Sequence, residues 1–490
     1  MSPSNLIPSP GPTRRDVLRQ AGAALAGGGL LGALASADEK NAGGAGPHHT
    51  PRVKRVLYLF MFGGPSQMDL FDYKPELQAR TGQSIDFERR RHKFREAHLL
   101  GSARTFKRWG DAGQWCSDAF EHLPHHMDKL AVVKSLYTDS FAHGSAVLQM
   151  NSGQVFQGHP SLGTWVTYGL GSEGNDLPPY VVMHDPRGGP ISGSANWTSG
   201  YMPANYQGTL FRAVGDPLLH MAPGPESNSA SMTTEMQEQR LALLARLNDR
   251  HASLRPGHSN LQARTNTYRL AHRMQSSAPE ALDLSAEDEA TQAMYGLHDP
   301  RPDHPLSVGP AVFGRQCLIA RRLLERGVRF VQIYHGGGHQ QQTWDAHHGV
   351  EENLAIHCPE VDRPIAGLLT DLDRRGLLEE TLVIWGGEFG RSPVSQQAGD
   401  GQEAASLGRD HNPKACTAWL AGGGIRPGSY GETDELGSEA AVNRHHVRDL
   451  HATVLHLLGF DHERLTYHHA GFDRKLTGVV EPELMHGILA

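Results

Sequence analysis

The stretch from Val328 to His411 constrains the fold more than any other. It reads VRFVQIYHGGG, then WDAHH, then TLVIWGGEFGRSP, then GRDHNP. Val328–Tyr334 and Thr381–Trp385 are short runs of β-branched and aromatic residues, each followed by glycines, which is the pattern of buried strands ending in loops. Between them Val361–Leu378 carries apolar residues at helical spacing, so the unit reads β-loop-α-β. In a parallel sheet the loops at the carboxyl ends of the strands form the ligand crevice. In this unit those loops carry Asp345, His347, His348, Glu388, Arg391, Asp410 and His411. Carboxylates and imidazoles gathered at several strand ends are the donor set of a divalent-metal site. The chain holds 30 histidines in 490 residues, so single His–acid neighbours arise by chance. A whole set placed after successive strands is a stronger signal.

The same logic organises the rest of the chain. Val53–Phe62 is a continuous apolar run of strand length, ended by Gly63-Gly64-Pro65-Ser66 and followed by Asp69 and Asp72. Arg80–Arg108 is basic and polar and reads as a surface excursion. Leu130–Leu136 is a strand leading into FAHGSAVLQMNSG (Phe141–Gly153), a helix that opens near His143–Ser145. Leu162–Leu170 continues as helix and Tyr180–Met183 as strand. Pro223–Pro310 is polar, helical in pattern and poor in β-branched residues, so it reads as an inserted helical lobe with solvated arginines and histidines. Phe313–Arg326 is an amphipathic helix, Ala415–Leu420 a strand, and Val447–Leu458 a helix closed by Gly459. Strands alternating with helices predict an α/β fold with a predominantly parallel central sheet and helices on both faces.

The amino terminus carries an address. Thr13-Arg14-Arg15-Asp16-Val17-Leu18 precedes the apolar run Ala21–Ala35 and the small residues Ala35-Ser36-Ala37. This is the pattern of a twin-arginine signal peptide over residues 1–37, removed on export to the periplasm or beyond, with a retained membrane anchor as the lesser alternative and residues 38–52 as linker. The run lacks the roughly 20 strongly apolar residues of a stable span, and no other stretch would cross a bilayer. A net charge of −7, with no basic patch interleaved with aromatics, argues against a nucleic-acid partner. The four cysteines are far apart and form no CxxC pair, which leaves room for one or two bridges after export but not for a zinc knot.

The strings FMFGGPSQMDLFDYKPEL, GHPSLGTWVTYGLG, WDAHH, GGEFGRSP and GRDHNP, in this order behind a twin-arginine signal, resemble a large family of exported bacterial proteins. It is a domain-of-unknown-function family (number 1501) of the alkaline-phosphatase-like superfamily, alongside sulfatases and cofactor-independent phosphoglycerate mutases. The resemblance runs from about Val53 to the end of the chain. It implies an alkaline-phosphatase-like fold and a site for one or more divalent ions (Zn, Mn, Ca or Mg). Asp69 resembles the acid after the first strand. Asp345 and His347 resemble the Asp/His pair on one metal, with His348 a rival to His347, and His411 resembles the final histidine. Where relatives read Asp-His-Gly, this chain reads Glu388-Phe389-Gly390, keeping a carboxylate and losing an imidazole. Sulfatases place their Cys or Ser nucleophile ten residues before a helix-ending glycine; counting back from Gly153 gives His143, with Ser145 two residues on. No cysteine sits in the Cys-x-Pro-x-Arg context of a formylglycine sulfatase.

A metal in such a site lowers the pKa of bound water and neutralises a departing oxyanion, while Arg391 could clamp a phosphate or sulfate. If neither Ser145 nor Ser66 reaches the metal, a metal-bound hydroxide is the remaining nucleophile. Two functions stand open. One is an exported metal-dependent hydrolase of phosphate or sulfate esters, small or polymeric. The other is a catalytically silent relative that binds an anionic ligand or an envelope partner.

Overall fold

Strand β1 (Arg55–Met61) lies in the middle of the molecule because every residue after Arg55 is buried and apolar. The computed structural model describes residues 46–89, 92–174, 176–215, 217–218, 234–255, 259–395 and 406–490. The twin-arginine pattern at Arg14 and Arg15, the run Ala21–Ala35 and the expected cleavage site therefore lie outside the described residues.

Nine strands form the central sheet. Besides β1 they include β2 (Leu130–Tyr137), β3 (Tyr180–Met183), β4 (Thr209–Phe211), β5 (Phe330–His335) and β6 (Thr381–Gly386). A ribbon of β7 (Gly390–Ser395) and β8 (Arg409–Asn412) stands apart from it. The sheet continues with β9 (Cys416–Gly422), β10 (Gly428–Tyr430) and the pair His445–His446. The spatial order is β10-β2-β9-β6-β1-β5-β3-β4, with His445–His446 beside β2. The run β6-β1-β5-β3-β4 is parallel throughout. Only β9 runs against its neighbours β6 and β2. The expected parallel neighbours are present in register, Val56 opposite both Phe330 and Leu382.

Alternation along the strands feeds two cores. On one face Leu57, Leu59, Val331, Ile333, Val383 and Trp385 pack against α5 (Pro310–Glu325) and α6 (Val350–Arg374). On the other, Val56, Tyr58, Phe60, Leu382 and Ile384 pack against three helices. These are α1 (His143–Ser152), α2 (Leu162–Leu170) and α7 (Val447–Leu457). Within the insertion lie α3 (Thr234–Ser253) and α4 (Ser259–Leu282), of which α4 sends Met274, Ala278 and Ala281 into the first core. All four cysteines are buried and free, so none forms a bridge. Among the described residues no helix is long and apolar enough to cross a membrane.

Two local readings differ. The helix expected from Val361 begins at Val350 and runs through Pro359 and Pro364. Its buried face, from Val350 through Leu354 and Cys358 to Leu372, outweighs the hydrogen bonds that the prolines cannot make. The stretch expected as a plain surface excursion pairs into hairpins, Ser84–Arg89 with His92–His98 and Phe106–Trp109 with Gln114–Ser117. Leu99 and Ala97 anchor the first under a small core with Met68, Leu77 and Val394.

The chain leaves β1 through Gly63, whose φ of +118° is strained for any residue with a Cβ. A Cβ there would sit 2.6 Å from the backbone nitrogens of Trp344 and Asp345. Gly63→Ala is therefore expected to lose about 2–4 kcal/mol of stability. Urea denaturation checks this, and an unchanged midpoint would mean that the close approach of these two loops is misplaced.

Candidate metal centre

Four side chains from three places in the chain converge at the carboxyl ends of β1, β5 and β6. His143 opens α1, Asp345 and His347 sit in the loop after β5, and His411 lies on β8. One ligand atom from each falls within 4.8 Å of all the others. The three imidazoles turn the same nitrogen inward. His347 Nε2 and His411 Nε2 each lie 3.0 Å from Asp345 Oδ1, and His143 Nε2 lies 3.2 Å from Asp345 Oδ2.

Two of the three outward nitrogens are held by acceptors. His143 Nδ1 donates to Glu388 at 2.6 Å, His411 Nδ1 donates to the Phe141 carbonyl at 2.8 Å, and His347 Nδ1 faces Asp410 at 3.7 Å. In the neutral ring an acceptor on Nδ1 fixes the proton there and leaves the Nε2 lone pair aimed at the centre, the arrangement that orients metal-bound histidines. His143 Nε2 is buried and makes no hydrogen bond of proper geometry. Three imidazole nitrogens and one carboxylate fit a zinc-like borderline cation. Phe389, the residue in place of a histidine, lies against the rings of His143 and His411 as an apolar wall.

Asp345 is also held from behind. Arg391 is fully buried and donates to Asp345 Oδ1 at 2.6 Å. Its remaining donors meet the carbonyls of Gly63, Gly64 (2.9 Å), Trp344 (3.3 Å) and Arg409 (3.1 Å). Burial pushes the Asp345 carboxyl up, but the Arg391 charge and the three imidazoles outweigh it and hold the group well below the carboxylate range. Burial, with the charges of Arg391 and His143, brings His411 down to about 4 despite Asp345. For His143 burial also acts downward, yet the Asp345 and Glu388 carboxylates raise the imidazole to about 9.

The other residues singled out from the sequence fall elsewhere. Asp69 is not in the cluster: it is fully buried, with Arg409 Nε at 2.8 Å and Arg409 Nη2 at 3.2 Å, and Ser66 bonds the same carboxylate. Arg409 thus occupies the carboxylate that was expected to face the metal. Glu388 stands one step back, accepting from Gly63 N at 3.0 Å and from His143. Arg391 has its fork filled by carbonyls, so it is a brace and not a substrate clamp. Ser145 shares a hydrogen bond with Ser140 at 2.9 Å and donates to the Ala142 carbonyl. His143, placed by motif counting at the nucleophile's position, is instead a candidate ligand. His348 joins the edge of the loop through a bridge to Leu407 and lies outside the cluster.

A second buried group, His335, His357 and Glu360, has the residue types of a metal site but not the protonation. Trp344 Nε1 donates to His335 Nδ1 at 3.0 Å, which places the His335 proton on Nε2, 2.9 Å from Glu360. A protonated nitrogen cannot ligate. Glu360 is further occupied by Arg187 (2.9 Å), Ser307 (2.9 Å) and the Val308 amide (2.7 Å). Sequence reasoning missed this network because its members are spread from Arg187 to Glu360. It braces the loop that carries Asp345, since Asp185, bonded to Arg187, also accepts from Gly336 N at 2.9 Å.

The metal-free chain is expected to take up one Zn²⁺ or Mn²⁺ per molecule, lost in Asp345→Asn and in His411→Ala. A cation must displace the proton that His143 keeps up to about pH 9, so affinity should rise as pH increases from 6.5 to 9. Competition with a chromophoric chelator measures both stoichiometry and slope. A flat affinity across that window would remove His143 from the ligand set.

Among curated proteins none matches the chain in sequence. Solved structures with overall similarity include the alkaline phosphatase from the Antarctic bacterium TAB5, at 11% identity, covering 79% of this chain and 96% of that one, with a TM-score of 0.32. The PsFucS1 sulfatase from Pseudoalteromonas sp. shares 10% identity over 93% of this chain and 76% of its own, with a TM-score of 0.33. The lipoteichoic acid synthase LtaP from Listeria monocytogenes shares 9% over 91% and 80%, with a TM-score of 0.33. Residues 53–489 match the family described as "Protein of unknown function (DUF1501)", and the chain belongs to that family.

Proposed function

We propose that this chain is an exported, metal-dependent hydrolase of phosphate or sulfate esters. The observation that carries the reading is the convergence of three imidazole Nε2 atoms on Asp345, with the rings of His143 and His411 each held from behind by an acceptor. The motif resemblance to the alkaline-phosphatase-like superfamily supports the same chemistry. A bound divalent cation supplies an activated water and neutralises charge on the departing oxygen.

The chain's own residues account for the rest. The side chains of His143 and His347 are each 18% exposed and that of Asp345 12%, so a small anion has access to the cluster from solvent. Glu388 and the Phe141 carbonyl keep the His143 and His411 imidazoles in one orientation, and Phe62 and Phe389 line His143 with apolar surface. Neither Ser145 nor Ser66 is aimed at the cluster, since their hydroxyls are taken by Ser140 and Asp69. Water, and not a serine, is therefore the nucleophile in this reading.

The burial of Arg391 favours a second reading, a silent relative that binds an anionic ligand or envelope partner. With its guanidinium filled by carbonyls, no arginine of the motif is left to grip a transferred group.

Turnover of aryl phosphates and aryl sulfates with added Zn²⁺, Mn²⁺, Mg²⁺ or Ca²⁺ separates the two. Hydrolysis should require metal and fall below detection in Asp345→Asn and His347→Ala. Glu388→Gln should lose about 10–100-fold, and Ser145→Ala should stay near wild type. Metal binding without turnover of either ester class would leave the silent binder standing. For export, Arg14→Lys with Arg15→Lys should hold the precursor in the cytoplasm, and cell fractionation reads the outcome; unchanged delivery would mean the leader was misread.

A further inference from the structure

The inserted helices carry a face that neither the fold nor the metal centre uses. Helix α3 packs back along α4, with Gln237 bonded to Gln275 at 2.9 Å and reaching His272 at 3.3 Å. Toward α4 it turns Gln237, Leu241, Ala245 and Ala252, which are half-buried. Away from it stand Leu243 (53% exposed), Leu247 (54%) and, just past the helix end, Leu254 (72%). These fall at i, i+4 and i+11, one stripe of a 3.6-residue helix. Leu244 and Tyr268, both more than half exposed, widen it into the groove between the two helices, about 580 Å³ in volume and rimmed by Arg264 and Arg269.

Charge on this hairpin opposes that of the whole chain. Residues 234–274 hold seven arginines and three acids, a net of +4, in a chain of net −7. Helical spacing puts Arg240 and Arg250 in the same stripe as the leucines and Arg246 at its flank, while Glu238 and Asp249 fall on the far side. The outward face is therefore apolar and cationic at once.

That mixture decides the occupant. An antiparallel two-fold pairing that sets Leu243 against Leu247 of a second copy also sets Arg240 against Arg250. A parallel pairing stacks each arginine on itself. Either seam holds like charges with apolar neighbours, which is destabilising. An anionic lipid surface has no such conflict: leucines enter the acyl boundary while arginines reach up to phosphate. We propose that the α3 face is a docking surface for anionic lipid, holding the protein peripherally on a membrane. This inference does not depend on the reaction catalysed at the metal centre.

Co-sedimentation of the full chain with vesicles tests it. Binding is expected to vesicles of phosphatidylglycerol in phosphatidylcholine, at least about tenfold stronger than to phosphatidylcholine alone, and weakened by salt. Leu243→Ser with Leu247→Ser, and separately Arg246→Gln with Arg250→Gln, should each lower binding by about tenfold or more. Both sets lie on the surface, and circular dichroism confirms that each variant is folded. Absent binding, equal binding to neutral and anionic vesicles, or unchanged binding of the leucine variant would each overturn the proposal. So would a dimer in solution that the leucine substitutions dissociate without any vesicle binding, which would assign the face to a second copy.

Discussion

The guanidinium of Arg391 is the point on which the rest of the site depends. It is fully buried, and a buried charge survives only where its donors are met. They are met here by Gly63 and Gly64 after β1, by Trp344 and Asp345 after β5, and by Arg409 on β8. One side chain thus ties three strand ends that lie far apart in sequence. The planar fork is what makes this work, because a lysine ammonium has neither the reach nor the directions to meet five acceptors. The charge also keeps Asp345 ionised among three imidazoles, so the anion on which the nitrogens converge owes its state to a residue bonded to the same Oδ1 that His347 and His411 face.

Two clusters of similar composition lie on either side of the β5 loop, and protonation separates them. In one, acceptors take the outer N–H of His143 and His411 and leave the inner lone pairs to a cation. In the other, the Trp344 indole donates inward to His335, so the proton is forced onto the nitrogen that would have to ligate. Residue type alone does not distinguish a site from a brace. The direction of one hydrogen bond does.

This explains how much could be read from the chain. The strands around β1 were legible because each is a continuous apolar run ended by glycines, and Asp345, His347 and His411 because they fall in short polar strings after such runs. His143 was legible only as a position in a motif. Its part in the cluster needs Glu388, 245 residues away. Asp69 and Arg391 look in sequence like exposed functional charges, and no local pattern reveals that Arg409 and backbone carbonyls consume them. The start of α6 was hidden for a different reason. Pro359 is a local stop signal, and only the buried stripe on both sides of it shows that packing overrides the lost hydrogen bond.

Charge distribution links the site to the inserted hairpin. Around the candidate metal centre the carboxylates of Asp345, Glu388 and Asp410 are set against the guanidinium of Arg391 and the His143 imidazole, which two of them keep protonated up to about pH 9, so the acids outnumber these cations by one. In the proposed reaction an anionic ester would meet this negative pocket and a divalent ion would reverse the local sign, so metal binding and substrate binding would be coupled by electrostatics. The hairpin has the opposite character, with arginines among leucines and Glu238 and Asp249 turned away. A chain that is acidic overall therefore carries net positive charge on this element, as it also does over Arg80–Arg108. The proposed lipid contact at the hairpin would therefore not compete for the centre, because an anion drawn to the arginines of α3 gains nothing at a pocket whose acids outnumber its cations.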